Sequence, residues 1–287
     1  MTIKRDDEFE AIYPTLNLDG LTFIDIVNEI QKVVIQKSTQ TPTSGSLNNC
    51  RGAWNEMAFI MEAHRSILQS TENLYLVKMG SEASIKFWEI YQKQSRQKYD
   101  LLVDKFHKRA EPISIRCATP DFVVISRAVI QDSSSSNILK NQSPLLKDIN
   151  NLYKVIKNKC LPHQVKGFIS LKTSNRPDRR YTILLEANVT KFASKYIHDP
   201  ECRLRYDIIG KSNLPDREVF SAPLMCTLPL SGDKIGSVER VIDSVVDLKS
   251  RQELDEYWKR YAEIIELDRG GKAVSPDAEF GIDKFDL

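Results

Sequence analysis

The chain has 287 residues, 41% of them hydrophobic and 28% charged, so it has enough apolar side chains to bury a full core and is not a disordered tail protein. Its 41 Lys and Arg residues nearly balance its 39 Asp and Glu residues, which excludes a protein that binds nucleic acid through overall positive charge alone. Any anion-binding site must therefore arise from local clustering of basic residues.

Several common sequence signals are absent. No apolar run approaches the length of about 18 residues that a membrane span needs, and the first residues lack the apolar segment of a secretory signal, so we expect a cytoplasmic protein with no membrane partner. The five cysteines are far apart and include no Cys-x-x-Cys pair, which argues against a disulfide framework or a zinc ribbon. The chain contains neither a P-loop nor a G-x-G-x-x-G motif. Its chemistry would then depend on carboxylates and lysines.

The first third of the chain has mainly helical periodicity. An amphipathic helix is predicted over 21–37, and a second helix, capped by Asn48 or Asn49, is predicted to run to about Leu68. The run 74–79 predicts a strand, and 82–108 predicts one long polar helix. The apolar stripe predicted for the first helix consists of Leu21, Ile24, Val27, Ile30 and Val34.

Strand and helix patterns alternate in the rest of the chain. Strands are predicted at 113–115, 122–126, 167–174, 204–209 and 223–228, and helices at 145–159, from a basic turn to about 198, at 238–248 and at 251–267. This alternation predicts an α/β fold with a central mixed β-sheet flanked by helices. We expect one domain over 1–287, with a helical N-terminal part (about 1–70) and a polar C-terminal tail (about 268–287).

A basic cluster follows the strand predicted at 167–174. The strand period places Ser170 and Lys172 on one face, and the turn Arg-Pro-Asp-Arg-Arg (176–180) comes directly after it. The turn could simply be a solvated helix start, with Asp178 favoured by the helix dipole. It could also recognise DNA, because arginine matches the O6 and N7 acceptors of guanine and a carboxylate accepts from the amino group of cytosine.

Two carboxylates lie in apolar surroundings. Asp121 heads an apolar strand, and Glu186 follows Leu184 and Leu185 in the predicted helix. Phosphodiester hydrolysis needs carboxylates for a hard cation such as Mg²⁺ and a positive group beside the attacking water and the phosphate. Asp121, Glu186 and Lys172 supply that set, although each residue alone also fits an ordinary structural role.

Together these residues resemble the PD-(D/E)XK nuclease superfamily, and within it the type II restriction endonucleases that recognise CCGG or CCNGG. The resemblance covers about three quarters of the chain in order. Its motifs are T-P-T-S-G at 41–45, R-G-A-W-N-E at 51–56, V-K-M at 77–79, T-P-D at 119–121, S-L-K-T at 170–173 and R-P-D-R-R at 176–180, followed by Glu186. It implies the restriction-endonuclease-like core and a Mg²⁺-dependent, site-specific deoxyribonuclease that leaves 5′-phosphates and 5′ overhangs.

The resemblance also implies site residues. Ser170 stands where the superfamily usually has a carboxylate, and this subgroup supplies that carboxylate from the next helix, which requires Glu186 to face the sheet. The implied catalytic residues are Asp121, Lys172, Glu186, Glu56 and Ser170, with Mg²⁺ held by Asp121, Glu186 and Glu56. The implied DNA contacts are Arg176, Asp178, Arg179 and Arg180 in the major groove, Thr43 and Ser44 near the flank or in the minor groove, and Arg51. In an enzyme that recognises CCNGG, Arg51 and Trp54 could stack on an extruded base, whereas in those that recognise CCGG the same R-G-x-W serves as core.

A palindromic, G·C-rich double-stranded DNA site requires each subunit to present the same turn to each half-site, so we expect at least a homodimer and possibly a tetramer. The resemblance further implies a bacterial restriction-modification system whose companion DNA methyltransferase forms no stable complex with this chain. Two alternatives remain open at this point: a non-catalytic DNA-binding protein of the same fold, and an α/β adaptor with no nucleic-acid role. The outer base pairs of the site and the choice between CCGG and CCNGG are also open.

Overall fold

The computed structural model describes residues 3–38, 42–79, 86–108, 119–131, 133, 135–141, 144–172, 177–198, 204–224 and 239–269. In these ranges the helices are α1 (Arg5–Ile12), α2 (Phe23–Lys37), α3 (Ser44–Ser70), α4 (Lys93–His107), α5 (Ala128–Gln131), α6 (Leu146–Ile156), α7 (Pro177–Ile197), α8 (Leu214–Phe220) and α9 (Arg251–Arg269). The strands are β1 (Leu74–Lys78), β2 (Phe122–Ser126), β3 (Val165–Lys172), β4 (Arg205–Gly210) and β5 (Ser244–Val246).

The strands form one mixed sheet in the order β1-β2-β3-β4-β5. The first three strands pair antiparallel, whereas β3, β4 and β5 run parallel. A parallel neighbour needs a crossover connection, and α7 lies in the connection between β3 and β4. The carboxyl ends of β3, β4 and β5 therefore meet the amino end of β2 at one edge of the sheet.

Helices cover both faces of the sheet. Tyr206 and Asp207 are adjacent on β4, so their side chains point to opposite faces. The Tyr206 hydroxyl donates to Glu186 on α7, while the Tyr257 hydroxyl on α9 donates to Asp207 Oδ2 over 2.8 Å. On the α9 face, α3 packs beside α9 and also contacts α1 and α2; on the other face, α4 packs against α7.

No helix in the described ranges is long and apolar enough to cross a bilayer.

The predicted central mixed sheet with flanking helices is confirmed, but several predicted elements differ. The second helix starts at Ser44, and Thr43, rather than Asn48 or Asn49, caps it by accepting from the Ser46 backbone N–H over 3.3 Å. In the first helix, Ile24 is 49% exposed and does not belong to the core. The buried stripe there consists of Phe23, Ile26, Val27, Ile30 and Val34.

The long helix predicted over 82–108 is wrong in its first part. A 3-10 turn at Phe87–Ile90 and an extended residue, Tyr91, precede α4. Three of the residues in this turn and Tyr91 are buried, and such consecutive apolar side chains cannot all lie on one face of a helix.

The helix predicted at 238–248 is also wrong, because this segment contains β5. Val245 and Val246 pair with Ile208 and Ile209 of β4, and β-branched side chains favour a strand. Of the strand predicted at 223–228, Pro223 forms an isolated bridge with Arg240; residues 225–228, the strand predicted at 113–115 and the tail from 270 onward lie outside the described residues.

Candidate active site

Asp121 lies directly before β2, beside the carboxyl end of β3. Its Oδ2 atom accepts from the Leu171 backbone N–H over 2.7 Å and from Lys172 Nζ over 3.1 Å. The side chains of Asp121 and Lys172 are 23% and 19% exposed. The pair is therefore held in place by the strand end but remains accessible to a ligand.

Glu186 faces the sheet, as the sequence interpretation required, and lies in a buried hydrogen-bonded group. Ser170 Oγ donates to Glu186 Oε1 over 2.6 Å, and the Tyr206 hydroxyl donates to the same oxygen. The hydroxyls of Ser170 and Tyr206 are 2.8 Å apart. Ser170 and Tyr206 are fully buried, and Glu186 is 5% exposed. Two hydroxyl groups thus fix the orientation of one carboxylate from two neighbouring strands.

Tyr206 is the site residue that sequence reasoning missed. The alternation of β4 indicates that Tyr206 shares a face with Ile208, but nothing local indicates that this face is shared with Ser170. That information comes from the parallel register, which pairs Phe168 with Tyr206 and Ser170 with Ile208. A register between distant strands has no local sequence signature, so only the folded chain reveals the contact.

The charges at this edge influence one another. Burial raises the pKa of Glu186 and outweighs the opposing effects of Lys172, Ser170 and Tyr206. Burial disfavours the Lys172 ammonium, but attraction by Asp121 and Glu186 is stronger in sum and raises the pKa of Lys172. Lys172 therefore stays protonated at neutral pH, so it acts as a positive charge and hydrogen-bond donor rather than as a base.

Glu56 lies on α3, near this group but engaged elsewhere. Its Oε2 atom is 3.2 Å from Lys78 Nζ at the end of β1, and its charge contributes to the raised pKa of Lys172. Within the described ranges, no group of three or more His, Cys, Asp or Glu side chains is arranged to hold a metal ion. The structure thus brings Asp121, Lys172, Glu186 and Ser170 together, with Glu56 in an ion pair beside them.

The predicted base-recognition turn is described only in part. Arg176 and the side chains of Asp178 and Arg179 lie outside the described residues, while α7 begins at Pro177. Arg180 forms an ion pair with Asp216, which is 1% exposed at the start of α8. This contact connects the first turn of α7 to α8.

The other predicted DNA-contact residues lie at the start of α3. Thr43 caps the helix and Ser44 begins it, while the Arg51 guanidinium donates to Gln31 Oε1 over 2.5 Å and to Asn28 Oδ1 over 3.0 Å on α2. Trp54 is fully buried and donates to the Arg5 carbonyl over 2.9 Å. It is therefore a core residue and does not present its ring to an extruded base in this structure.

Sequence comparisons with known proteins give two matches. A family model described as Cfr10I/Bse634I restriction endonuclease matches residues 15–262. The type II restriction enzyme Cfr10I of Citrobacter freundii is 30% identical over 202 residues, which are 66% of this chain and 69% of that protein. All the residues that form the candidate site lie within the range that the family model matches.

Two solved structures share the fold. The type IIF restriction endonuclease Bse634I with cognate DNA superimposes with a TM-score of 0.77 at 22% identity, over 90% of this chain and 92% of that one. A second Bse634I structure gives a TM-score of 0.78 at 20% identity, over 91% and 92% of the two chains. The arrangement of strands and helices is therefore that of a known restriction endonuclease.

Proposed function

Because this chain belongs to the Cfr10I/Bse634I restriction endonuclease family, we propose that it cuts double-stranded DNA at a palindromic site with a CCGG or CCNGG core. The proposed reaction is Mg²⁺-dependent phosphodiester hydrolysis that leaves 5′-phosphates and 5′ overhangs. The observation that carries the proposal is the buried Glu186 carboxylate, oriented by Ser170 and Tyr206 beside the Asp121–Lys172 pair. Ionisable groups that shift one another's pKa values at an accessible strand edge are typical of functional sites, which supports the proposal.

A restriction endonuclease in general requires a divalent metal ion, and the residues present fit one. Asp121 and Glu186 offer the carboxylate oxygens that Mg²⁺ prefers, and Mg²⁺ is usually bound by one or two carboxylates together with water and phosphate oxygens. A third protein ligand is thus unnecessary, although we keep Glu56 as a candidate. When bound, Mg²⁺ would polarise the phosphoryl group and activate a water molecule.

The protein's own groups position the reactants. The Leu171 backbone N–H and Lys172 fix Asp121 through its Oδ2 atom. Ser170 and Tyr206 restrain Glu186, which limits the rotamers that this carboxylate can adopt. Lys172, protonated at neutral pH, can donate to the attacking water or to a phosphate oxygen and offset the negative charge that develops in the transition state.

We assign DNA recognition to the turn at 176–180 and to the start of α3. Arg176, Asp178 and Arg179 are proposed to contact bases in the major groove. Arg180 is proposed to position the turn through Asp216, with Thr43, Ser44 and Arg51 near the flank. Palindromic recognition requires a homodimer at least, and a tetramer is compatible with it.

Digestion of a plasmid tests the function directly. The wild-type protein is expected to produce defined fragments with Mg²⁺ and none in EDTA, and sequencing of the fragment ends would give the site and the overhang. In Ca²⁺, which accepts looser oxygen geometry than Mg²⁺, binding without cleavage is expected. Binding without cleavage in Mg²⁺ would instead support the non-catalytic alternative.

Substitutions then test the site. Asp121→Ala, Lys172→Ala and Glu186→Gln are each expected to abolish cleavage and to retain the circular dichroism spectrum, because they remove charge and metal ligands rather than core volume. Glu263→Gln, at an exposed position of α9, is the matched control and should cut normally. If a folded variant of one of the first three residues cuts at the wild-type rate, that residue does not belong to the active site.

A further inference from the structure

A second concave site adjoins the candidate active site. A cavity of about 390 Å³ opens where β3 and β4 end and extends to the segment after β5. Lys172 lines it and also contacts Asp121, so the two sites share one side chain. The start of α2 and one side of α3 close the cavity from the opposite direction.

The lining combines apolar surface with positive charge. Phe23, Phe59 and Ile209 contribute buried apolar side chains. Lys172, Lys211 and Lys249 contribute three ammonium groups, and Asp247 is the one carboxylate within the described lining. Two of the three ammonium groups form ion pairs, Lys249 with Asp247 over 3.5 Å and Lys172 with Asp121 over 3.1 Å. The described lining still carries more ammonium groups than carboxylates, beside an apolar wall.

Ile24 gives a second, independent indication of a ligand. It lines the cavity and is 49% exposed, although its neighbours in α2 are packed into the core. A single exposed apolar residue is ordinary on a protein surface. Here, however, Ile24 stands on the rim of a concavity lined by other apolar side chains and by three lysines, and an occupant would cover it.

We propose that this cavity binds the sugar-phosphate backbone of the DNA strand next to the bond that is cut, with Lys211 and Lys249 contacting the phosphates. A DNA strand alternates anionic phosphates with a largely apolar deoxyribose, which matches the lysines and the apolar wall. Phosphate contacts fix the register of a protein on DNA without specifying bases. The inference rests on the proposed function, and it assigns a positioning role to two lysines outside the predicted site.

The salt dependence of DNA binding tests this role. The affinity for DNA falls as salt rises, and each phosphate contact makes the slope of log affinity against log salt concentration steeper by about 0.9. The double variant Lys211→Gln/Lys249→Gln is therefore expected to have a slope that is shallower by about 1.8. The affinity advantage of the wild type over this variant should then shrink about 12-fold between about 50 and 200 mM NaCl. The probe is a duplex from a plasmid that the wild type digests, bound at a fixed Ca²⁺ concentration.

A charge-matched control separates this site from general electrostatics. Lys140→Gln/Lys259→Gln removes the same charge at exposed positions outside the cavity and should leave the slope nearly unchanged. Equal slopes for the two double variants, with both folded by circular dichroism, would overturn the inference. Failure of the proposed function would look different, because the wild-type protein itself would leave the plasmid intact.

Discussion

At the scale of single residues, the orientation of Glu186 depends on two buried hydroxyl groups. Ser170 and Tyr206 both donate to Oε1 of this carboxylate. Residues that hydrogen-bond to a metal ligand typically change metal affinity or activity by about 10- to 100-fold when they are removed. If Glu186 holds Mg²⁺ as proposed, Tyr206 should influence catalysis although it is completely buried.

Tyr206→Phe removes one hydroxyl and retains the ring. The Mg²⁺ concentration for half-maximal cleavage is expected to rise by about 10- to 100-fold, because Glu186 loses one of its two restraints. Cleavage assays over a Mg²⁺ titration measure this shift, and the Ca²⁺ concentration that supports DNA binding should move in the same direction.

Tyr153→Phe provides the matched control. Tyr153 is a buried residue of α6 whose hydroxyl has no hydrogen-bond partner among the described residues, so its removal should leave both titrations unchanged. If Tyr206→Phe and Tyr153→Phe behave alike, Tyr206 does not orient the Glu186 carboxylate.

Asp178 is predicted to control sequence choice more than affinity. A carboxylate is not attracted to phosphate, and it helps only where the amino group of cytosine is presented. Asp178→Asn should reduce discrimination between the cleaved site and a scrambled duplex by about 1–3 kcal/mol. Competition binding with the two duplexes measures this difference in binding free energy.

Arginine substitutions give the contrasting behaviour. Arg176→Ala and Arg179→Ala should weaken specific binding and also flatten its salt dependence, since each removes a positive charge. An unchanged ratio of specific to non-specific affinity in Asp178→Asn would indicate that the turn at 176–180 is a solvated helix start and not the base-recognition element.

At the scale of elements, the site depends on how closely β4 approaches β3. Gly210 pairs with Lys172 in the parallel register, and a Cβ atom at Gly210 would overlap the Lys172 carbonyl oxygen. Any side chain at this position would push the two strand ends apart. The last residue of β4 thus keeps Lys172 within reach of Asp121.

Gly210→Ala is expected to lower the free energy of unfolding by about 1–3 kcal/mol, as overpacking usually does, and to reduce cleavage through displacement of Lys172. Urea unfolding and cleavage rates check the two effects. Gly52 lies at an exposed position of α3, and a Cβ atom there would meet nothing within 4 Å. In Gly52→Ala the free energy of unfolding should therefore rise by about 0.5–1 kcal/mol. Equal stabilities of the two variants would contradict the close approach.

At the scale of the whole molecule, buried histidine contributes to the pH dependence of folding. His198 is 7% exposed, and its ring Nε2 lies 2.8 Å from the Tyr91 hydroxyl. Burial, together with the charges of Lys166, Lys195 and His163, lowers the pKa of His198 to about 4. The unfolded chain binds the same proton near pH 6.5, so acidification between about pH 6.5 and 4 favours unfolding.

Protonation of this one residue can lower the free energy of unfolding by roughly 3 kcal/mol at most. His198→Gln carries no such proton, so the stability difference between wild type and variant should shrink as the pH falls from about 7 to 4.5. Urea unfolding of both proteins at each pH measures this difference. Other titrating groups, such as His64, contribute equally to both proteins and cancel in it. Parallel stability curves would show that His198 does not titrate as described.

The sequence by itself determined the candidate site residues and most of the elements. The positions of Asp121, Lys172 and Glu186 follow from motifs of defined order and spacing, and these three residues do meet at one sheet edge. The helices α2, α3, α6, α7 and α9 were predicted because their apolar periodicity is local. Helical periodicity is encoded within a few turns of chain, whereas the site motifs stand far apart and were identified through their order and spacing in a known family.

Only the tertiary structure decided which groups touch. Tyr206 reaches Glu186 because β4 pairs in register with β3, and the segment at 244–246 is a strand because β4 offers it a partner. Ile24, predicted in the apolar stripe, instead lines a cavity and stays exposed. Each outcome depends on contacts between residues far apart in sequence. Local propensity cannot specify them, since the same side chain is stable in several environments until its neighbours are placed.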